Sequence, residues 1–326
     1  VNRQRLTALV FCITLAAIAP LALAAPAVEA LRIIPGDSVA VGSVNLGALR
    51  TSPLSGRIFD ETDKMTCDGD AARFLGDAGL DPARDVDVVT VAVRPRQDGR
   101  NGDPLVVAEG RFDSQRIIAA LVARGVKPTG TNTGTYYMLP EGDEHQDRSG
   151  AIAFISDGFA VIGSEDAVKG ALNAVARGGA GFPGTPLGSQ LARVDTAAQA
   201  WMVVDVERMS RLAPHGEQGS SATIFAAVKK MTYAGLWTTD TGTALSIGGV
   251  ALSEDAETRE LLEDAIRGAL ASARLAAQEK DPELVKVLRQ ATVSRDGEGV
   301  RFGASIPAEF LERLHQGGGE GSPAAK

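Results

Sequence analysis

The chain has 326 residues, with 33 basic side chains against 41 acidic ones, a formal net charge of −8, 5% aromatic residues and two cysteines. That balance argues against nucleic acid and anionic membrane surfaces as partners and leaves neutral or cationic ligands, or another protein of the envelope. A disulfide framework is excluded once residues 1–24 are removed, because Cys67 is then the single cysteine.

Residues 1–24 form an export signal. Arg3 and Arg5 precede an apolar run from Leu6 to Leu23, and Ala22-Leu23-Ala24 fits the small-x-small cleavage rule. Cleavage after Ala24 removes two arginines and no acid, takes the net charge from −8 to −10, and places the mature chain in the periplasm or outside the cell. An uncleaved anchor is the alternative, since the run approaches bilayer length; Pro20 and the alanine-rich end favour cleavage. Cys12, preceded by Phe11, sits in a poor context for lipid attachment. No later apolar run is long enough to span a membrane, so no integral span is expected after cleavage.

The first strand lies in Leu31 to Leu49 (LRIIPGDSVAVGSVNLGAL), and its pattern returns in Leu191 to Met209 (LARVDTAAQAWMVVDVERM). Ala40, Gly42, Val44 and Leu46 share one side, as do Ala200, Met202, Val204 and Val206, which is the period of two of a half-buried strand. Each strand ends at a short polar residue, Asn45 or Asp205, before a helix-compatible stretch. These two form either a paired polar site or a repeated N-cap, and the cap is the simpler reading.

A helix from Pro53 to Lys64 and a short one carrying Phe74 and Leu75 follow, and Asp81-Pro82 supplies a cap with a first-turn proline. Val86 to Arg94 and Pro104 to Phe112 are strands joined across Asp98-Gly99 and Asn101-Gly102. Asp113 caps a helix from Gln115 to Arg124 that ends at Gly125. A strand at Thr135 to Leu139 leads to a hairpin, Ala151 to Ile155 and Phe159 to Gly163, and then to a helix capped by Ser164. The second half repeats this order: a helix around Ile224 and Val228, strands Thr232 to Thr238 and Ala244 to Leu252, and a long helix from Asp255 to Lys280. A short helix after Asp281-Pro282, a hairpin from Ala291 to Ser305 and a helix after Pro307 complete it.

The predicted fold is therefore α+β, with two tandem pseudo-repeats, residues 25–178 and 186–316, each an antiparallel sheet covered by helices. A Gly/Pro linker, residues 179–185, joins them, and residues 317–326 have the composition of a disordered tail.

Chemistry is harder to find. Gly179-Ala180-Gly181-Phe182-Pro183-Gly184 satisfies G-x-G-x-x-G but follows a helix, whereas a phosphate cradle needs a strand before it. Phosphate-loop, zincin, hydrolase-elbow and S-x-x-K patterns are all missing, and no cofactor is expected. His145, His215 and His315 are far apart in sequence. The densest polar cluster is Glu141, Asp143, Glu144, His145 and Asp147, a weak metal candidate whose spacing departs from the calcium loop and fits a solvated loop better. Cys67 lies among acids that raise its thiol pKa, which disfavours a nucleophilic role.

The aromatic residues are the best binding candidates. Tyr233 and Trp237 share a strand face, and Trp201 stands on the neighbouring repeated strand, opposite Met202 and Val204. If these faces coincide, the three either pack against the other half or line a ligand site, and packing is the expected role for bulky aromatics.

The segments IPGDSVAVGSVNLGALRTSPL (Ile34 to Leu54), GLDPARDVD (Gly79 to Asp87) and GRFD (Gly110 to Asp113) resemble a group of uncharacterised exported bacterial proteins of unknown function. Those motifs are structural corners, so the resemblance implies fold and export and transfers no catalytic residue. The sequence thus points to an exported, non-enzymatic binding or interaction protein of the cell envelope. A hydrolase-type or metal-dependent enzyme using acidic residues and His145, assembled only in the fold, is the alternative.

Overall fold

The computed structural model describes residues 28–52, 69–96, 102–139, 150–179, 181–212, 230–278 and 281–317. The export signal, the helix predicted at Pro53 to Lys64, Cys67, the loop at Glu141 to Asp147, His215, the helix predicted around Ile224 and Val228, and residues 318–326 lie outside them.

In chain order, α1 (Val28–Ile33) leads into β1 (Ala40–Asn45) and the short α2 (Leu46–Leu49). Then come α3 (Gly69–Ala78), α4 (Pro82–Asp85) and the hairpin β2 (Val86–Pro95) and β3 (Gly102–Gly110). After α5 (Ser114–Ala123) the chain forms β4 (Pro128–Thr131), β5 (Gly134–Met138), β6 (Gly150–Ser156), β7 (Phe159–Ser164) and α6 (Glu165–Ala176). A 3-10 turn at Phe182–Gly184, α7 (Pro186–Ser189) and a second 3-10 turn at Gln190–Arg193 connect to β8 (Ala200–Asp205) and α8 (Val206–Ser210). The remainder is β9 (Tyr233–Asp240), β10 (Ala244–Leu252), α9 (Ala256–Ala277), α10 (Pro282–Gln290), β11 (Thr292–Asp296), β12 (Gly299–Pro307) and α11 (Ala308–Gly317).

The helix starts follow from local chemistry. Asp81, Asp113, Ser164, Asp255 and Asp281 each accept a bond from a free backbone N–H of the first turn, as the sequence pattern requires. Gly79, Gly125 and Gly178 follow helix ends with φ of 61°, 82° and 79°, the left-handed conformation that ends a helix without a Cβ clash.

All twelve described strands lie in one antiparallel sheet, in the order β11-β12-β10-β9-β8-β1-β2-β3-β7-β6-β5-β4. The sequence reading gave each half its own sheet. Instead β1 and β8, which would each be an unpaired edge, satisfy each other's backbone groups at the centre. Their register pairs Gly42 with Met202, Ala40 with Val204 and Val44 with Ala200, and both strands alternate in burial in the same way.

The main core lies on the first face of the sheet. Val41, Val107, Val161, Trp201 and Val203 project there against Ile34, Val168, Leu172, Phe182 and Leu187 from α1, α6, the first 3-10 turn and α7. Phe182 is fully buried and its N–H donates to the Ile34 carbonyl at 3.3 Å, so this residue anchors the 3-10 turn in the core. On the second face one cluster joins Phe112, Ile117 and Leu121 to Ile152 and Ala160 under α3 and α5, and a smaller one joins Leu262 of α9 to Ala251 and Val300.

Candidate functional site

The two polar corners end opposite halves of the central joint. Asn45 Oδ1 accepts from Ala48 N at 2.9 Å, and Asp205 Oδ1 accepts from Arg208 N at 2.9 Å, so both are N-caps. Because β1 and β8 are antiparallel, Asn45 lies beside Gln199 and Asp205 beside Val39. Six residues of strand, roughly 20 Å, separate the corners, and they form no common site. Asn45→Ala and Asp205→Ala should each lower stability by about 1 kcal/mol, read from the urea midpoint at unchanged slope.

The aromatic faces do coincide. Trp201 pairs with Trp237 and Asp205 with Tyr233 across β8 and β9, so all three rings project from the first face. That face carries the main core, and Trp201 is only 4% exposed within it. The even-numbered side of β8 reads as the more apolar one in sequence, yet α1, α6 and α7 cover the odd-numbered side. Hydrogen bonding makes its polar members tolerable: Thr90 Oγ1 donates to Ser43 Oγ at 3.2 Å, and Asn45 caps α2. Trp201 accordingly packs within the main core, the role expected of it beside the ligand-site alternative. Tyr233 and Trp237 are half-buried against the same cluster. Burial holds the Tyr233 phenol above its ordinary pKa, with Asp205 adding to the shift. The Trp237 indole lies over Gly248, where a Cβ would stand 2.3 Å from the ring, so glycine is required there.

The second face of the same central strands is apolar over two adjacent rows, with Thr238, paired with Ala200, as a polar residue beyond them. Val91, Gly42, Met202 and Leu236 form one row across β2, β1, β8 and β9, and Val93, Ala40, Val204 and Ala234 form the next. Most of these residues are half-buried, in contrast to Val41, Ser43, Trp201 and Val203 on the first face of β1 and β8, which are buried. The strip lies between the two apolar clusters of this face.

Charged groups collect at the end of the sheet that holds Asn45. Arg50 donates to Asp87 Oδ1 at 2.5 Å and to the Ala83 carbonyl at 2.6 Å, while Arg111 donates to Asp87 Oδ2 at 3.1 Å. Burial alone would raise the Asp87 pKa, but the bonds from Arg50 and Arg111 outweigh it and hold the carboxyl below its ordinary value. Glu109 shows the reverse: burial, then the fields of Asp87 and Glu29, hold it above the usual carboxylate range. The atoms Asn45 Nδ2 and Glu109 Oε2 are buried without a hydrogen-bond partner.

Among the described residues no group of three or more His, Cys, Asp or Glu side chains is placed to hold a metal ion. The weak metal candidates Asp143, Glu144, His145 and Asp147 lie outside those residues. The described residues also contain no helix long and apolar enough to cross a membrane. The apolar strip and the Glu109 environment escaped the sequence reading. The first is assembled by the β1–β8 pairing of residues about 160 positions apart, and the second by a row across three strands.

No protein-family model matches the chain, and no curated protein matches it. Among solved structures, crystal form III of TP0453 is similar at 10% identity, covering 88% of this chain and 97% of that one, with a TM-score of 0.48. Crystal form IV of TP0453 gives 9% identity, 90% and 97% coverage and 0.48, and crystal form I gives 10%, 88% and 96%, and 0.42.

Proposed function

We propose that this chain is an exported binding or interaction protein of the cell envelope, periplasmic or extracellular, and not an enzyme. The observation that carries the reading is the apolar strip on the second face. Val44, Val89, Val91, Met202, Val204 and Leu236 expose part of their side chains on adjoining strands, and contiguous apolar surface of this kind marks interaction sites more often than chemistry. The partner surface it fits is neutral and apolar. The export signal expected at residues 1–24 and the sequence resemblance to uncharacterised exported bacterial proteins support that location.

The same proposal includes a duplicated α+β unit, residues 25–178 and 186–316. Support comes from the offset of 160 residues between Ala40–Asn45 and Ala200–Asp205, from their shared burial pattern and cap, and from a pairing register that maps onto itself at Gly42 and Met202. Strand order outward from the joint is also parallel: β1-β2-β3-β7-β6 on one side and β8-β9-β10-β12-β11 on the other.

The binding surface is tested with a neutral apolar dye, Nile red, titrated against the full chain. Wild type should bind it saturably, and Met202→Lys should weaken binding by about tenfold or more, a loss of about 1.4 kcal/mol. Because Met202 is partly exposed, a lysine there can extend its ammonium into water and stability should change by less than about 1 kcal/mol. Dye binding that is undiminished in Met202→Lys would sink this reading of the strip.

A further inference from the structure

At the end of the first face, one row of side chains runs from Asn45 through Val88 to Glu109, set by the β1–β2 and β2–β3 registers. Directly opposed residues of antiparallel strands project to the same side, so the Asn45 amide and the Glu109 carboxylate flank Val88 on one face of the sheet. Their backbones are about 10 Å apart, two strand spacings, and no hydrogen bond joins them. Each keeps a buried polar atom without a partner, Nδ2 of Asn45 and Oε2 of Glu109. Val88 is 8% exposed, and Phe159, paired with Glu109 on its other side, packs against the main core. Two polar atoms therefore stand in an apolar wall, where an unsatisfied group costs about 1–3 kcal/mol.

The chemistry of the two ends differs, and the cap fixes the Asn45 end. Asn45 is 7% exposed, and its Oδ1 is committed to the α2 cap, so the amide turns a donor, not an acceptor, toward the row. Glu109 offers an acceptor in a field made negative by Asp87 and Glu29, and the cations nearest Asp87, Arg50 and Arg111, are bound to Asp87 itself. A metal ion does not suit a site with an N–H donor at one end. A molecule carrying a positive donor and a neutral acceptor suits both.

We propose that Glu109 and Asn45 bind a small molecule bearing a primary ammonium group with an oxygen three bonds away, the ammonium on Glu109 and the oxygen on Asn45 Nδ2. Free amino alcohols and the amino end of a peptide share this chemistry. The proposal deepens the binding reading by naming a ligand class, and it uses the opposite face of the sheet from the apolar strip, so either can fail alone.

The test is calorimetric titration of the full chain near neutral pH with ethanolamine and with the dipeptide Ala-Ala, against propylamine, which lacks the oxygen, and ethylene glycol, which lacks the charge. At least one ammonium–oxygen probe should bind saturably, one molecule per chain, and both controls should be weaker by about tenfold or more, propylamine for want of the Asn45 bond and ethylene glycol for want of the charge-assisted bond to Glu109. Which of the two probes binds tells the amino alcohol from the peptide end. Glu109→Gln should lower affinity by a similar factor. Asn45→Asp keeps the cap, as Asp205 does in the other corner, but removes the donor, so the preference for the probe over propylamine should vanish. Circular dichroism and melting curves confirm that both variants are folded, and the wild-type comparison stands without them. Absence of saturable binding by either ammonium–oxygen probe, equal binding of propylamine by wild type, or unchanged affinity in folded Glu109→Gln would each overturn the proposal.

Discussion

Trp201→Ala is expected to lower the unfolding free energy by about 3–5 kcal/mol, the range for deleting a large buried aromatic ring. The indole is 4% exposed in the cluster that includes Ile34, Val41, Phe182 and Leu187, and these side chains are held by the end of α1, β1, the first 3-10 turn and α7, so the cavity cannot collapse cheaply. Trp237→Ala should cost clearly less, because its ring is only half-buried and lies at the border of the same cluster. Urea denaturation of both variants checks the pair. Equal losses, or a loss below about 1 kcal/mol for Trp201, would show that the first face is not the main core.

Phe182→Ala is the second substitution of this size, again about 3–5 kcal/mol. It falls within residues 179–185, whose composition reads as a flexible linker. Phe182 nevertheless has no exposed surface, and its neighbours tighten the packing: a Cβ on Gly181 would stand 3.0 Å from the Ile34 carbonyl, and one on Gly188 would stand 2.2 Å from the Phe182 carbonyl. Glycines here permit close backbone approach, not freedom of motion. A linker would tolerate Phe182→Ala with a change of a few tenths of a kcal/mol, so the denaturation midpoint separates the two cases directly.

That contrast shows how far local signals reach. Turn and cap chemistry is encoded within three or four residues, and Asp81, Asp113, Ser164, Asp255 and Asp281 were all legible as helix starts. Strand periodicity located β2, β3, β6, β7, β9 and β10 to within a residue or two. Short β4 carries Pro128 and Gly130 and has exposed alternate residues, so it gives no apolar period to detect. Which side of β8 faces the core was not legible, because both sides are apolar and only the position of α1, α6 and α7 decides it. The aromatic trio illustrates the limit: alternation puts Tyr233 and Trp237 on one face, but that Trp201 joins them depends on the β8–β9 register, and its burial depends on α1, more than a hundred residues upstream, together with α6 and α7. Asn45 and Glu109 belong to one row only because β2 stands between β1 and β3.

A single pairing holds these features together. β1 against β8 makes one sheet from two halves, builds the apolar strip, and sets Asn45 and Asp205 at opposite ends of the joint. A Cβ placed at Gly42 would stand 3.2 Å from the Met202 Cβ, close to the 3.5–4.5 Å that a disulfide spans. Val204, by contrast, pairs with Ala40 and lies diagonal to Gly42, at about 7–8 Å between Cα atoms. The most direct measurement is therefore oxidation of the full chain carrying Gly42→Cys and Met202→Cys, with Cys12 and Cys67 replaced by serine. An intramolecular disulfide should form in that chain and not in the Gly42→Cys/Val204→Cys control. Failure to form it, formation between molecules only, or equal formation in the control would contradict the joint.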